Sequence, residues 1–212
     1  MGDEFMAVSY QFISKGYRLL DLVYFRKKET SPRQALQSMI ANEKVKVLDI
    51  CCGTGENSIE VAKNHPKAQI VGIDLSKEML SFAKKNIARH KLNNIRVKVE
   101  DAITTGFKDK LFDHAIISLV LHEVEEDLAD GILSEAKRVL KDEGELIVLE
   151  WEIPKKLGQR IIFLPIQLLE PKPFKKLMRV NKAEYFKAHG FELIEEVHCD
   201  YSCVYRMKKL KK

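Results

Sequence analysis

No apolar run in this sequence is long enough to span a bilayer. The strongest, residues 161–169, holds seven large apolar residues in nine and is broken by Pro165 and Gln167, whereas a membrane helix needs roughly 20. A secretory leader is not expected, because the chain opens Met-Gly-Asp-Glu-Phe-Met, acidic where such a leader is basic; Met6 also stands where a myristoylation pattern has Ser or Thr. Cysteine is scarce. Of the four, Cys51 and Cys52 are adjacent and fit a disulfide framework badly, so with Cys199 and Cys203 they read as reduced thiols of a cytoplasmic protein. Only 10 Gly and 6 Pro occur, which excludes collagen-like and low-complexity chains. Neither charge sign dominates: Lys and Arg exceed Asp and Glu by 36 to 31, part of the surplus being Lys208, Lys209, Lys211 and Lys212. No helix or stripe concentrates arginine with aromatic side chains, so nucleic acid is not an expected partner.

What remains is a chain with 45% hydrophobic and 32% charged residues, enough to bury the core of one domain. Apolar runs alternate with amphipathic ones. Residues 45–50 read as a strand, Gly53 and Gly55 as a turn, and residues 56–64 as a helix with Ile59, Val61 and Ala62 inside. Residues 68–73 form the next strand, and Ser76 caps a helix whose inner face carries Met79, Leu80, Ala83 and Ile87. Two more strands, 95–99 and 115–120, have the composition of buried strands. A helix at 127–140 has acids in its first turn and Lys137 and Arg138 in its last, and Gly144 opens a strand at 145–149. This predicts an α/β fold with a mainly parallel sheet covered on both faces. From Gly190 the pattern changes to two strand-like runs hinged near Asp200, an antiparallel hairpin. The single domain 1–212 thus divides into a helical cap (1–42), a core (43–150), an insertion (151–180) and a helix with the hairpin (181–212).

The run Val47-Leu48-Asp49-Ile50-Cys51-Cys52-Gly53-Thr54-Gly55 places glycines where a strand turns into a helix, so a ligand can approach backbone amides there. Any tight turn would use the same glycines. Asp74, however, ends the second strand 21 residues after Gly53, close to the ~20 at which an acid meets a ribose in doubly wound folds. A nicotinamide oxidoreductase shares that geometry. Against it, Ser58 occupies the third glycine position of Gly-x-Gly-x-x-Gly, and the Asp49 charge would repel a pyrophosphate but suit a cation.

At these residues the sequence resembles the class I S-adenosylmethionine-dependent methyltransferases. Leu-Asp-Ile-Cys-Cys-Gly-Thr-Gly is similar to the family's first motif, Gly-Ile-Asp-Leu-Ser-Lys-Glu-Met to its second, and Val-Glu-Asp-Ala at 99–102 to its acidic turn. Phe112-Asp113 and Leu-Lys-Asp-Glu-Gly-Glu-Leu from Leu140 are similar to later strand signatures. The resemblance implies a Rossmann-like seven-stranded sheet of order 3-2-1-4-5-7-6 with strand 7 antiparallel. It also implies that Asp49, Cys51, Gly53 and Gly55 line the methionine side of S-adenosylmethionine (product S-adenosylhomocysteine), and that Asp74 holds the ribose hydroxyls. Leu75 and Met79 would then flank the adenine, Asp101 and Ala102 would meet its edge, and Ser118 would join the cofactor contacts. Cys51 departs from the family, which has glycine there.

The first 40 residues and Leu121-His122-Glu123 resemble the small-molecule branch that includes quinone and phospholipid methyltransferases, implying a small, lipid or quinone acceptor. His122 is the catalytic candidate, as general base or as a group orienting the acceptor. Its alternative is packing at the turn. The insertion 151–180, with Ile161, Ile162, Phe163, Leu164, Leu168 and Leu169 beside Pro171-Lys-Pro-Phe-Lys-Lys, is either core packing or a lid. As a lid it would close with the N-terminal helix bearing Tyr10 and Tyr17, and its basic flank could rest peripherally on an anionic membrane. No metal site is expected: Cys199-x-x-x-Cys203 has no His/Cys quartet near it. A nicotinamide-dependent oxidoreductase and a non-catalytic S-adenosylmethionine-binding module stand as the alternatives; oligomeric state is not legible.

Overall fold

The computed structural model describes Tyr24, residues 31–41 and residues 43–210; the expectations for Tyr10 and Tyr17 fall outside them. In chain order the elements are α1 (Pro32–Ser38), β1 (Lys46–Ile50), α2 (Glu56–Asn64), β2 (Gln69–Asp74), α3 (Lys77–Arg89), β3 (Ile95–Val99), β4 (Phe112–Ser118), α4 (Glu126–Val139), β5 (Leu140–Trp151), α5 (Leu157–Leu169), α6 (Lys172–Arg179), α7 (Lys182–Ala188), β6 (Phe191–His198) and β7 (Ser202–Lys209). The strands form one sheet of order β3-β2-β1-β4-β5-β7-β6. β1 through β5 pair in parallel, and β7 runs antiparallel to both β5 and β6.

Strand parity sorts the core into two layers, because successive side chains leave opposite faces of a sheet. Leu48, Ile50, Val71, Ile73, Ala115 and Ile117 pack with Ala129, Ile132, Leu133 and Ala136 of α4 and Phe186 of α7. Val47, Ile70, Ile116, Ile147 and Val204 pack with Leu36 of α1 and Val61 and Ala62 of α2. Each large apolar side chain buried this way contributes about 1.5–3 kcal/mol. Asp49 has the parity of Val47, so the only acid of β1 is driven into the α2 layer.

Three expectations change. The strand read at 115–120 runs Phe112–Ser118. β3 is not a buried strand: at the sheet edge Arg96, Lys98 and Val99 are exposed, and charged side chains on an edge discourage pairing with another chain. β5 does not start at Gly144. It runs directly on from α4 at Leu140, and its pairing with β4 shifts register between Phe112↔Leu140 and His114↔Glu145. Gly144 lies in the shifted stretch, where a Cβ would sit 3.0 Å from the Lys141 amide nitrogen.

The cap at Ser76 forms as expected, its Oγ accepting the Met79 amide at 3.1 Å, with Leu80 and Ala83 buried beneath α3. Gly72 explains itself by close approach. A Cβ there would lie 2.8 Å from Cys52 Sγ and 3.2 Å from Val97 Cγ1, so the second strand must be bare where the first turn folds over it. Gly72→Ala should therefore destabilise the protein by about 1–3 kcal/mol through overpacking. Adding Cys52→Ala should restore part of the loss in urea unfolding; an unchanged midpoint in the single variant would mean that the turn moves freely away.

Candidate functional site

The turn after β1 is built from left-handed backbone. Cys51, Gly53 and Gly55 have φ of 56°, 53° and 79°. For Gly53 and Gly55 this costs nothing, while Cys51 holds a conformation that side chains disfavour, where the resembling family has glycine. A Cβ on Gly53 would meet nothing within 4 Å, so that side of the turn opens to space. The Gly53 amide donates to Asp74 Oδ2 at 2.9 Å and the Ser76 amide to Asp74 Oδ1 at 2.8 Å, so the acid ending β2 links both turns.

Asp49 is buried and its Oδ2 accepts from Ser58 Oγ at 2.5 Å. The third glycine position is thus filled by the partner that α2 supplies to the acid. Oδ1 is buried without a hydrogen-bond partner. Burial pushes the Asp49 carboxyl up to about 7, the Ser58 bond opposing and the Asp74 charge adding to the shift. The Cys51 thiol is pushed up to about 12 by burial and by Asp74, Asp49, Asp101 and Glu123; burial likewise raises Cys52. Neither thiol is a ready nucleophile. Asp101 Oδ1 accepts the Ile103 amide at 3.0 Å, and Ala102 beside it is buried. Leu75 is exposed, Met79 half-buried, and Ser118 half-buried at the end of β4.

The carboxyl ends of β1, β2 and β3 therefore present the acids Asp49, Asp74 and Asp101 around an open glycine turn, with one carboxylate oxygen in want of a donor. That arrangement fits a cationic ligand carrying an ammonium and a ribose, and would repel a dinucleotide's pyrophosphate. A groove of about 320 Å³ lined by Lys46, Gln69, Asn94, Arg96 and Phe112 lies at the amino ends of the strands, away from these residues.

Beside this turn lies a second constellation, of which sequence reasoning found only His122. That ring is buried, and its Nδ1–H donates to Glu150 Oε2 at 2.6 Å. Glu150, equally buried near the end of β5, also accepts the Val120 and Leu121 amides on Oε1 at 3.2 and 2.9 Å. His122 Nε2 faces Glu170 Oε2 at 3.6 Å and Glu123 Oε1 at 3.9 Å. Burial pulls the imidazole pKa down, but Glu150, Glu170 and Glu123 outweigh it and raise it to about 9. Glu170, the C-cap of α5, is itself raised, mainly by burial. The signal for Glu150 was a lone acid inside the apolar strand Leu-Ile-Val-Leu-Glu-Trp; nothing local marked Glu170.

One face of the insertion packs against the body of the domain. Phe163 and Ile166 of α5 and Phe174 of α6 join Trp151 and Tyr201 in an aromatic cluster, and Tyr24 donates to the Ile162 carbonyl at 2.9 Å. Phe174 also sits edge-on to His122, centroids 5.9 Å apart.

Residues 41–185 match a family described as "Methyltransferase domain". Among curated relatives, demethylmenaquinone methyltransferase of Staphylococcus aureus (strain JH9) is 32% identical over 179 residues, covering 83% of this chain and 72% of that protein. Of solved structures, a SAM dependent methyltransferase from Aquifex aeolicus superposes with a TM-score of 0.68 at 20% identity, over 92% of this chain and 96% of that one. Magnesium protoporphyrin IX methyltransferase from Synechocystis PCC 6803, solved with bound SAH, gives 0.63 at 20% identity over 84% of each chain.

Asp49 makes a prediction of its own. A carboxyl whose native pKa is about 7 keeps a proton that the unfolded chain, near 3.8, has lost. Its stabilising contribution is complete below about pH 4 and is lost as pH rises through about 7. Asp49→Asn should therefore flatten the decline of unfolding free energy between pH 4.5 and 8 relative to wild type. Parallel pH profiles for the two proteins would show that Asp49 is ionised throughout.

Proposed function

The chain belongs to the methyltransferase domain family and is an S-adenosylmethionine-dependent methyltransferase acting on a small molecule; on that premise we propose that its acceptor is a reduced quinone of the demethylmenaquinone kind, a hydroxylated ring with an apolar tail, met at a membrane surface. Bound at the glycine turn, S-adenosylmethionine supplies an electrophilic methyl group on a sulfonium. In this reading the unpaired Asp49 Oδ1 receives the ligand's ammonium and the open space at Gly53 admits its methionine chain, with Cys51 and Gly55 shaping the turn. Asp74, already held by two amides, turns its remaining lone pairs to the ribose hydroxyls. Leu75 and Met79 flank the adenine, Asp101 and Ala102 meet its edge, and Ser118 closes the side toward the acceptor.

The observation that carries the acceptor reading is the outer face of α5. Leu157, Ile161, Leu164 and Leu168 recur at helical spacing and are 75%, 67%, 50% and 73% exposed, while Phe163 and Ile166 hold the opposite face in the core. Lys155, Lys156 and Arg160 surround the start of this helix, and Lys172, Lys175, Lys176 and Arg179 follow on α6. An apolar stripe rimmed by cations suits the interface of an anionic bilayer, where a quinone's tail is dissolved. No helix among the described residues is long and apolar enough to cross a membrane, so the contact is peripheral.

Glu170 joins that stripe to the chemistry. It ends α5 and faces His122, so a ring entering along α5 meets its carboxylate. With a pKa near 9 the His122 imidazole is already protonated at neutral pH, which suits orientation of the acceptor and leaves it a poor proton acceptor. We assign the base to Glu170 Oε2, whose proton affinity burial has raised. Removing a hydroxyl proton increases electron density on the ring oxygen and the adjacent ring carbon, the atoms able to take a methyl group, and Glu150 keeps His122 aimed at that spot.

Two variants separate binding from chemistry. Asp74→Ala should lose at least about a hundredfold in affinity for S-adenosylhomocysteine by calorimetry, since two hydrogen bonds to a carboxylate contribute roughly 1.5–3 kcal/mol each. Glu170→Gln should keep that affinity within about twofold and lose at least about tenfold in turnover of reduced demethylmenaquinone. Full turnover by Glu170→Gln would remove the base assignment, and a wild-type protein inert toward the quinol would remove the acceptor. For the membrane contact, the protein should float with phosphatidylglycerol vesicles and not with phosphatidylcholine vesicles; the Leu164→Glu/Leu168→Glu variant should remain in solution. Flotation unaffected by that double substitution would exclude the α5 face.

A further inference from the structure

A second set of donors consists of side chains that the proposed reaction does not use. His198 ends β6 and stands opposite Cys203 in the β6–β7 register. Cys203 in turn stands opposite Glu150 in the β5–β7 register. Glu152, two residues further along, shares the face of Glu150, and its amide donates to the Tyr201 carbonyl at 2.9 Å, so the pairing continues past the end of β5. Three neighbouring strands thus place a carboxylate, an imidazole and a thiol side by side.

His198 Nδ1 lies 2.9 Å from Glu152 Oε2, and one donor atom from each of Glu152, His198 and Cys203 lies within 4.8 Å of the other two. Ligand atoms bound tetrahedrally at the usual zinc distances of about 2.0–2.3 Å are separated by about 3.3–3.8 Å, so rotamer adjustments suffice to close the set. The environment grades inward. His198 is 44% exposed at its side chain and Glu152 28%, while Cys203 is buried; an ion can enter at the imidazole and reach the sulfur. The thiol's contact to the Val204 carbonyl is long, at 3.9 Å, and its other hydrogen-bond partner is the Tyr205 hydroxyl. The Lys182 ammonium, which interacts electrostatically with Glu152 and Cys203, is engaged by the Leu177 and Val180 carbonyls.

We propose that Glu152, His198 and Cys203 form a zinc site that ties the adjoining ends of β5, β6 and β7 together, a fourth position remaining for water. One sulfur, one nitrogen and one oxygen suit a borderline cation such as Zn²⁺ better than Mg²⁺ or Ca²⁺, which take oxygen. Zinc was not expected from Cys199-x-x-x-Cys203 because its partners were sought nearby in sequence; the sheet order brings them from β5 and from the end of β6.

The test uses the full chain, stripped of metal, with Co²⁺ as the spectroscopic probe and Zn²⁺ as the competitor. Co²⁺ should give a thiolate charge-transfer band in the near ultraviolet that one equivalent of Zn²⁺ abolishes, and Zn²⁺ should raise the Tm. Cys203→Ser should lose the band. His198→Gln, at a side chain exposed enough to leave the fold intact, should bind Zn²⁺ at least about tenfold more weakly and lose most of the Tm increase. No charge-transfer band in the wild type, a band that survives Cys203→Ser, or equal Zn²⁺ affinity in His198→Gln would each overturn the site.

Discussion

The carboxyl edge of the sheet at β4 and β5 depends on one buried carboxylate. Glu150 accepts two backbone amides from the turn after β4 and the Nδ1–H of His122, so a single side chain on β5 fixes the path of the neighbouring turn and the plane of its imidazole. A charge in that position is tolerable only while every partner is present. Breaking such a pair by removing one member typically costs 3–5 kcal/mol, because the other charge is left buried and uncompensated. The aromatic groups arranged around His122 inherit this constraint: Trp151 and Phe174 both meet the ring edge-on, and Phe174 belongs to α6. Stabilisation of the turn and placement of the insertion are therefore one problem with one solution.

The glycine turn after β1 follows a different logic, in which a polar group is left incompletely satisfied. Asp49 has one oxygen bonded to Ser58 and the other buried and bare. Burying an unpaired polar atom is costly, and Asp49 Oδ1 carries that cost in this structure. Glu150 holds structure by being saturated; Asp49 is only half so. The two acids stand on strands separated only by β4.

Most of the fold was legible because strand parity and helix periodicity are local properties. The α2 boundaries, the Ser76 cap and the hairpin near Asp200 all stand where the residue pattern put them. The misreadings come from information that is not local. β3 has the composition of an interior strand and becomes an edge only through sheet order, and the stretch from Leu140 to Gly144 is strand because β4 lies beside it. That the glycine turn and Asp74 meet was legible because spacing carries their geometry. In the sequence Ser58 is a missing glycine, and only the fold shows it as the partner of Asp49. Glu170 and Glu152 reach their neighbours across long sequence separations, and no spacing rule announces such a meeting.

The position of β7 has a consequence for how the protein is made. This strand follows β6 in the chain but lies between β5 and β6 in the sheet. As synthesis proceeds from the amino end, β6 emerges with no strand of the sheet to join, and the twelve-residue β5 presents an unpaired edge until residues 202–209 arrive. An open edge of that length, reading Leu-Ile-Val-Leu through its centre, is a template for pairing with another nascent chain. The order of the strands thus fixes the period of greatest aggregation risk to the interval before β7 emerges, whatever the stability of the finished fold.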